Sequence, residues 1–266
     1  MSLPQPLSDG LVIARRNLIK IRRVPDLLVS ATVAPVMFVL LFGYVLGSGV
    51  EVPGVDYREY LMAGIFTQTM VFGSAITGTG LAQDLQRGIV DRFRSLPMSP
   101  SAVLLGRTAS DLVTSVIVVV VMTVTGLLAG WRIRSSPLDA LAGYALLLLF
   151  AYALSWLMAV IGLSVRDPEV FSNASFVAVF PLTFVANTFV APGNLPEVLR
   201  VAAEWNPVSA VVQACRVHFG NVSAAMPPPE AWPLRHPVAA TLAWVAVILA
   251  VCVPLARWRY RKAVGR

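Results

Sequence analysis

Lysine is almost missing from this chain: among 266 residues only Lys20 and Lys262 occur. A phosphate-binding loop of the Walker type needs Gly-Lys followed by Ser or Thr. Lys20 follows Ile19 and Lys262 follows Arg261, so the polypeptide cannot hold ATP by that loop. Any ATP-driven step needs a separate subunit. Histidine is equally scarce, with His218 and His236 the only two. Without an HExxH or CxxC pattern there is no metal centre to read. A Ser-His-Asp arrangement finds no Gly-x-Ser-x-Gly elbow to support it. Cys215 and Cys252 are too few for a disulfide framework. Acidic residues are scattered singly apart from Asp167 and Glu169, which argues against a membrane-embedded enzyme working through paired carboxylates and magnesium.

Charge as a whole is thin. Only 13% of residues are charged and 57% are hydrophobic, with a mean hydropathy of +0.73. A soluble domain carries about 25% charge. The net charge of +7 lies beside apolar runs, so it reads as topology and contact with lipid headgroups rather than nucleic acid. A polar, basic stretch precedes the first apolar run, and that run is long enough to span; it reads as a retained helix rather than a cleaved signal.

These features predict an all-α polytopic membrane protein with six transmembrane helices. Residues 1–26 form an amphipathic interfacial elbow helix: Leu7, Leu11, Ala14, Leu18 and Ile21 recur at helical spacing among Arg15, Arg16, Lys20, Arg22 and Arg23. Pro25 ends it. The six-span domain covers residues 27–256. Its spans are expected over Leu27–Gly47, Tyr60–Ala82, Leu112–Ala129, Leu138–Leu163, Phe171–Ala191 and Pro237–Ala256. A basic tail, residues 257–266, follows. Arginines concentrate in the leading segment, in the loop with Arg87, Arg92, Arg94 and Arg107, and in the tail. With an even span count, both termini are then cytoplasmic and the protein sits in the cell membrane.

Two connections carry information. In the loop 83–103, Leu85, Ile89, Phe93 and Leu96 fall at helical spacing before Pro97 and Pro100. This is either a cytoplasmic coupling helix that docks in a partner's groove or a solvated connector. In the segment 192–236, Leu195, Val198, Leu199 and Ala202 suggest one short helix. Asn206-Pro207 caps a second that carries Val208, Val211, Val212 and Cys215. Apolar helices too short to span point to an outer re-entrant hairpin. Pro227, Pro228 and Pro229 make an extended linker into the last span.

Within the spans, Phe66 and Met70 lie one turn apart, and Phe176, Phe180 and Phe184 recur along the fifth span. They suit either a path for hydrophobic cargo or a lipid-facing surface. Asn173 and Asn187 should face a partner or a path, with Pro181 between them to kink the helix. Asp111 stands four residues after Arg107. It is read as a paired, snorkelling couple in preference to a proton relay. An ion-coupled secondary transporter or channel is the rival class, but so few buried charges favour an outside energy source.

The loop sequence Gln86-Arg87-Gly88-Ile89-Val90-Asp91-Arg92 resembles the Gly-x-x-Glu-Arg stretch of the type-2 ABC transporter permeases, the drug-exporter class that includes daunorubicin-resistance permeases, with Asp91 in place of Glu. The stretch Phe180–Val190, then Leu195-Pro196, then Trp205-Asn206-Pro207-Val208 is similar to that family's fifth span and outer helices. The resemblance covers nearly the whole chain. It implies a transport subunit with no ATPase site and no cofactor of its own, ATP being bound by a cytoplasmic ABC ATPase partner. A second permease copy or paralogue would complete a dimer. Leu85, Arg87, Gly88, Ile89, Asp91, Arg92 and Phe93 would contact the ATPase. Spans one, two and five would line an export path for an amphipathic drug, antibiotic or lipid, with Phe66, Met70, Asn173, Phe180, Pro181, Phe184 and Asn187 as candidates.

Overall fold

The computed structural model describes residues 33, 35–46, 54–88, 100–165, 167–189, 192–222, 225 and 228–264. Among them every regular element is helical. A leading helical segment, residues 35–40, continues as a π-helical stretch, Leu41–Leu46. Then come α1 (Tyr57–Gln86), α2 (Pro100–Leu128), α3 (Pro137–Gly162), α4 (Pro168–Phe184), α5 (Glu197–Glu204), α6 (Pro207–Phe219), α7 (Trp232–Arg235) and α8 (Pro237–Val264).

The helix starts follow local sequence. Ser136 caps α3 by accepting from the Asp139 N–H at 3.1 Å while its hydroxyl reaches the Asp139 carboxylate, and Pro137 occupies the first turn. Asp167-Pro168 and Asn206-Pro207 repeat the device at α4 and α6: Asp167 accepts from the Glu169 N–H and Asn206 from the Val208 N–H, each at 2.8 Å. Asp56 caps α1 through the Arg58 N–H.

Four described helices are long and apolar enough to cross a membrane: Tyr57–Gln86, Leu104–Leu128, Pro137–Gly162 and Pro237–Lys262. Of their apolar stretches, 72% is buried in α1 and 67% in α3, against 22% in α2 and α8. So α1 and α3 form the centre, and α2 and α8 turn apolar faces such as Val116, Val120, Val124, Val247 and Val251 outward. The central pair touches backbone to backbone where Gly78 meets Gly162, since a Cβ at Gly162 would overlap the Gly78 carbonyl. The Phe171 ring fills the far side of Gly78.

Three expected boundaries change. The fifth span was expected to reach Ala191, but α4 stops at Phe184. Its 17 residues rise about 25 Å, short of the roughly 30 Å of hydrocarbon. Beyond it, side chains from elsewhere take the carbonyls that helix bonds would have used. Asn206 Nδ2 donates to the Leu182 carbonyl (2.7 Å), and Arg216 Nη2 to those of Asn187 (2.8 Å) and Thr188 (3.2 Å). The helix carrying Leu85 ends at Gln86, with Gly88 in the left-handed region at φ 63°. Leu85 therefore lies on α1 before the turn at Gly88, and the rest of the expected coupling helix lies outside the described residues. The third span begins earlier than expected, because the Arg107–Asp111 pair lies inside α2. The elbow helix and most of the first span lie outside the described residues.

The short helix α6 runs through the interior rather than along the surface. Val208, Val211, Val212, Cys215 and Phe219 are all fully buried, against α1, α3 and α8. Burial pushes the Cys215 thiol up to about 12, leaving it an inert packing group.

Candidate cargo cavity and coupling end

A cavity of about 470 Å³ lies between the leading segment, α1, α2 and α4. The wall from α1 is one helical stripe: Ile65, Gln68, Thr69, Phe72, Gly73 and Ile76, with Met70 beside it. From α4 come Phe176, Phe180 and Phe184; from the leading segment Pro35 and Phe38; from α2 Asp111, Thr114, Ser115 and Val118.

The phenylalanines form a ladder. Ring centroids are 5.1 Å apart for Phe176–Phe180, 4.2 Å for Phe180–Phe184 and 5.6 Å for Phe184–Phe189. The row continues to the leading segment through Phe189–Phe42 at 4.7 Å and Phe42–Phe38 at 5.4 Å. Such faces accept flat apolar groups by offset stacking. Phe176 and Phe180 remain exposed, so the row is open to an occupant.

The polar side of the cavity is small. Asp111 receives a hydrogen bond from Thr77 Oγ1 at 2.5 Å and pairs with Arg107 at 3.5 Å. Arg107 also donates to the Ile76 carbonyl at 3.0 Å. The carboxylate is thus already partnered, as the sequence spacing of the two residues suggests. Gln68 is different: it is 4% exposed, and neither atom of its amide finds a hydrogen-bond partner among the described residues.

Of the residues expected along a path, Met70, Phe180 and Phe184 line this cavity. Phe66 does not. It is fully buried, edge-on to Trp131 at 5.4 Å and to Tyr144 at 6.0 Å, with Phe219 also 6.0 Å away. Asn173 and Pro181 are exposed on α4 and are not part of the lining. Asn187 is buried beside α6, its N–H bonded to Ser209 Oγ at 2.9 Å and its side-chain oxygen without a partner among the described residues. At the other end of α1, Leu85 packs half-buried against the cluster of Leu81, Leu104, Trp156 and Tyr260, and Arg87 is exposed. The Gly88 N–H closes the turn on the Leu85 carbonyl at 3.1 Å. Ile89, Asp91, Arg92 and Phe93 lie outside the described residues.

Sequence reasoning passed over two residues. Gln68 was visible as a lone amide in an apolar run, but its missing partner is a fact of packing. Arg216 lies outside the three basic clusters that set the topology, and no sequence pattern marks it. The structure buries it over the Tyr60 ring, 3.4 Å from the centroid, with Nε donating to the Tyr60 carbonyl at 3.0 Å. Burial pulls this guanidinium below its usual range, and Tyr60 opposes the shift.

At the same end of α1, Arg134 grips Glu59 with two nitrogens, at 2.7 to 3.0 Å, a fork-on-carboxylate geometry. Trp131 Nε1 donates to Asn221 at 2.8 Å, and the Asn221 amide returns to the Arg132 carbonyl at 3.0 Å. Together these contacts fasten the α2–α3 connection to the start of α1 and to the end of α6.

Comparison with known proteins supplies the context. The family pattern described as ABC-2 type transporter matches residues 10–219. The chain is 29% identical over 201 residues to a daunorubicin resistance ABC transporter permease protein of Streptomyces coeruleorubidus, covering 76% of this chain and 71% of that one. It is 26% identical over 241 residues to a probable doxorubicin resistance ABC transporter permease protein of Mycobacterium tuberculosis, covering 88% and 82%. A putative transport permease of Porphyra purpurea is 24% identical over 220 residues, covering 79% and 73%.

Proposed function

The chain belongs to the ABC-2 type transporter family and is an ABC exporter permease; on that premise we propose that it moves an amphipathic, ring-bearing molecule outward through the phenylalanine-lined cavity. The observation that carries the path is the cavity itself, because an apolar aromatic wall facing a few polar groups is what a drug-sized amphiphile needs. The cargo reading draws on the relatives, whose names refer to resistance against daunorubicin and doxorubicin. Lipids and other antibiotics belong to the same chemical range.

In this reading the chain has six spans in the cell membrane, with both termini cytoplasmic and residues 1–26 as the interfacial elbow. The segment 192–236, including α5 and α6, is the outer hairpin. Energy comes from a cytoplasmic ABC ATPase, which the family implies and which this chain's missing Walker loop requires. Leu85, Arg87, Gly88, Ile89, Asp91, Arg92 and Phe93 take the push from the ATPase at the end of α1 that abuts α2. A second permease copy or paralogue completes the assembly, and the chain holds no cofactor of its own. Met70, Phe180 and Phe184 touch cargo in the cavity. Asn173 and Pro181 lie on the α4 surface that a second copy would cover. Asn187 and Phe66 set the shape of the site from behind.

Asp111 is the main residue that an ion-coupled rival would use. Its partners Arg107 and Thr77 support the structural role instead. The test is transport by the reconstituted permease with its ATPase. Export should need ATP hydrolysis, and Asp91→Ala should leave hydrolysis running while export falls. Export by the chain alone, driven by a proton or sodium gradient and abolished by Asp111→Asn, would refute the proposal.

A further inference from the structure

One face of α8 stays exposed along most of the helix. Ala243, Val247, Ala250, Val251 and Pro254 recur there at helical spacing, and Arg257, Trp258 and Arg261 continue the same row. The opposite face, with Cys252, Ala256 and Tyr260, is buried against Leu81, Leu104 and Trp156. The 28 residues of α8 rise about 42 Å, and roughly 30 Å of hydrocarbon is crossed by Ala256. The exposed row therefore changes chemistry where the hydrocarbon ends, from small apolar groups to an indole and cations. Buried Tyr260 keeps this overhang packed on the bundle, so the cations stand on a supported helix. From Trp232 onward the sequence holds no Asp or Glu. None of Arg257, Arg259, Arg261 and Lys262 has an ion pair or a side-chain hydrogen bond among the described residues. Arg259 and Lys262 lie over the Trp258 ring instead, at 5.3 and 5.1 Å from its centre. The helix dipole accounts for Arg261 and Lys262 in the last turn, but not for Arg257 one turn earlier.

From this we infer that the C-terminal end of α8 is a binding site for a phospholipid of the cytoplasmic leaflet that carries a net negative headgroup. Arg257 and Arg261, one turn apart, take the phosphate. The Trp258 ring lies at the glycerol level, where indoles concentrate, and an acyl chain runs along Val251 and Val247. A zwitterionic lipid fits the apolar stripe equally well but leaves the cations uncompensated, so charge sets the preference. The cations face the same way as the apolar stripe, outward from the bundle, and that direction favours a lipid over the ATPase as the occupant. The inference rests on the reading that the end of the chain is cytoplasmic, and it adds a lipid partner held by named residues.

The test uses the assembled permease–ATPase complex in nanodiscs of phosphatidylcholine with a rising share of phosphatidylglycerol, either lipid being brominated near the headgroup. Bromine quenches a neighbouring indole, and the Trp258 signal is the difference from Trp258→Phe. Brominated phosphatidylglycerol should quench Trp258 at a far lower share of the bilayer than brominated phosphatidylcholine. Arg257→Gln combined with Arg261→Gln should raise the share of phosphatidylglycerol needed for half-quenching about tenfold, the scale of two lost cations at an anionic surface in salt. The paired substitution to Lys should retain most of the preference. Both side chains are exposed, so the Gln pair should melt like the parent in phosphatidylcholine alone. It should lose only the stability that phosphatidylglycerol adds to the parent. Equal half-quenching in the parent and the Gln pair overturns the site. If neither brominated lipid quenches Trp258, the row faces protein, the ATPase or the second copy, and the inference falls. If glycerol 3-phosphate relieves quenching as readily as unbrominated phosphatidylglycerol, the site takes a free phosphate and the lipid is overturned as its occupant. Orientation is read separately: Arg261→Cys in intact cells should escape a membrane-impermeant maleimide. Labelling from outside overturns the cytoplasmic orientation and the leaflet with it, whereas failed quenching with the orientation intact overturns the lipid site alone.

Discussion

The Arg216 guanidinium lies flat over the Tyr60 ring, 3.4 Å from its centre, with Nε bonded to the Tyr60 backbone carbonyl. No carboxylate is among its hydrogen-bond or ion-pair partners in the described residues. Its other donors go to the carbonyls of Asn187 and Thr188. One buried cation thus joins α6, the start of α1 and the chain beyond α4. Arg216→Met should lower stability by about 2–3 kcal/mol, because it strands three carbonyls and a ring face. Arg216→Lys should recover only part of this, since an ammonium lacks the planar fork. Thermal unfolding in detergent reads both.

Phe66 and Phe180 should separate cleanly. Phe66 is fully enclosed by rings, so Phe66→Ala should destabilise by about 3–5 kcal/mol. Phe180 is 40% exposed at the cavity, so Phe180→Ala should change thermal stability little and reduce export. Paired melting and transport measurements check the contrast.

The Gly78–Gly162 crossing leaves no room for a side chain. Gly162→Ala should cost about 1–3 kcal/mol through overpacking, and Gly162→Leu should prevent accumulation of folded protein. Gly73, which has open space around its Cβ position, is the control: Gly73→Ala should be tolerated.

Gly88 adopts φ 63° where the chain leaves α1. Gly88→Val places a β-branched residue in the left-handed region, which is unfavourable by roughly 1–2 kcal/mol. The strain falls at the proposed ATPase contact, so export per ATP should fall more than the melting temperature does. Coupled assays of hydrolysis and transport measure the ratio.

The Cys215 thiol, pushed up to about 12 by burial, should not react with maleimide at pH 8 in the folded protein. Labelling should appear only on unfolding, which mass spectrometry of the peptide reads directly.

Much of this architecture is legible in the sequence because its signals are local. Asn206-Pro207 marks the start of α6, and the short apolar runs after Leu195 and Asn206 foretell α5 and α6. The end of α4 was not legible. Val185, Ala186, Phe189 and Val190 read as more apolar helix, but Arg216 and Asn206, distant in sequence, capture the carbonyls there. The start of α2 was not legible: the spacing of Arg107 and Asp111 announces a helical pair, but the polar residues before Leu112 hide that the same helix runs back to Pro100. Phe180 and Phe184 were visible as an aromatic repeat. Their division of labour with Phe66 was not, because Phe66 is equally apolar and only its contacts place it in the core.

The most direct test of the account is cargo uptake into inside-out vesicles holding this chain and its ABC ATPase, with doxorubicin as the probe. The account predicts ATP-dependent accumulation that vanishes when the ATPase carries an inactive Walker lysine, survives collapse of the proton gradient and drops in Phe180→Ala. Accumulation that persists without a working ATPase, or that disappears with the proton gradient alone, would contradict it.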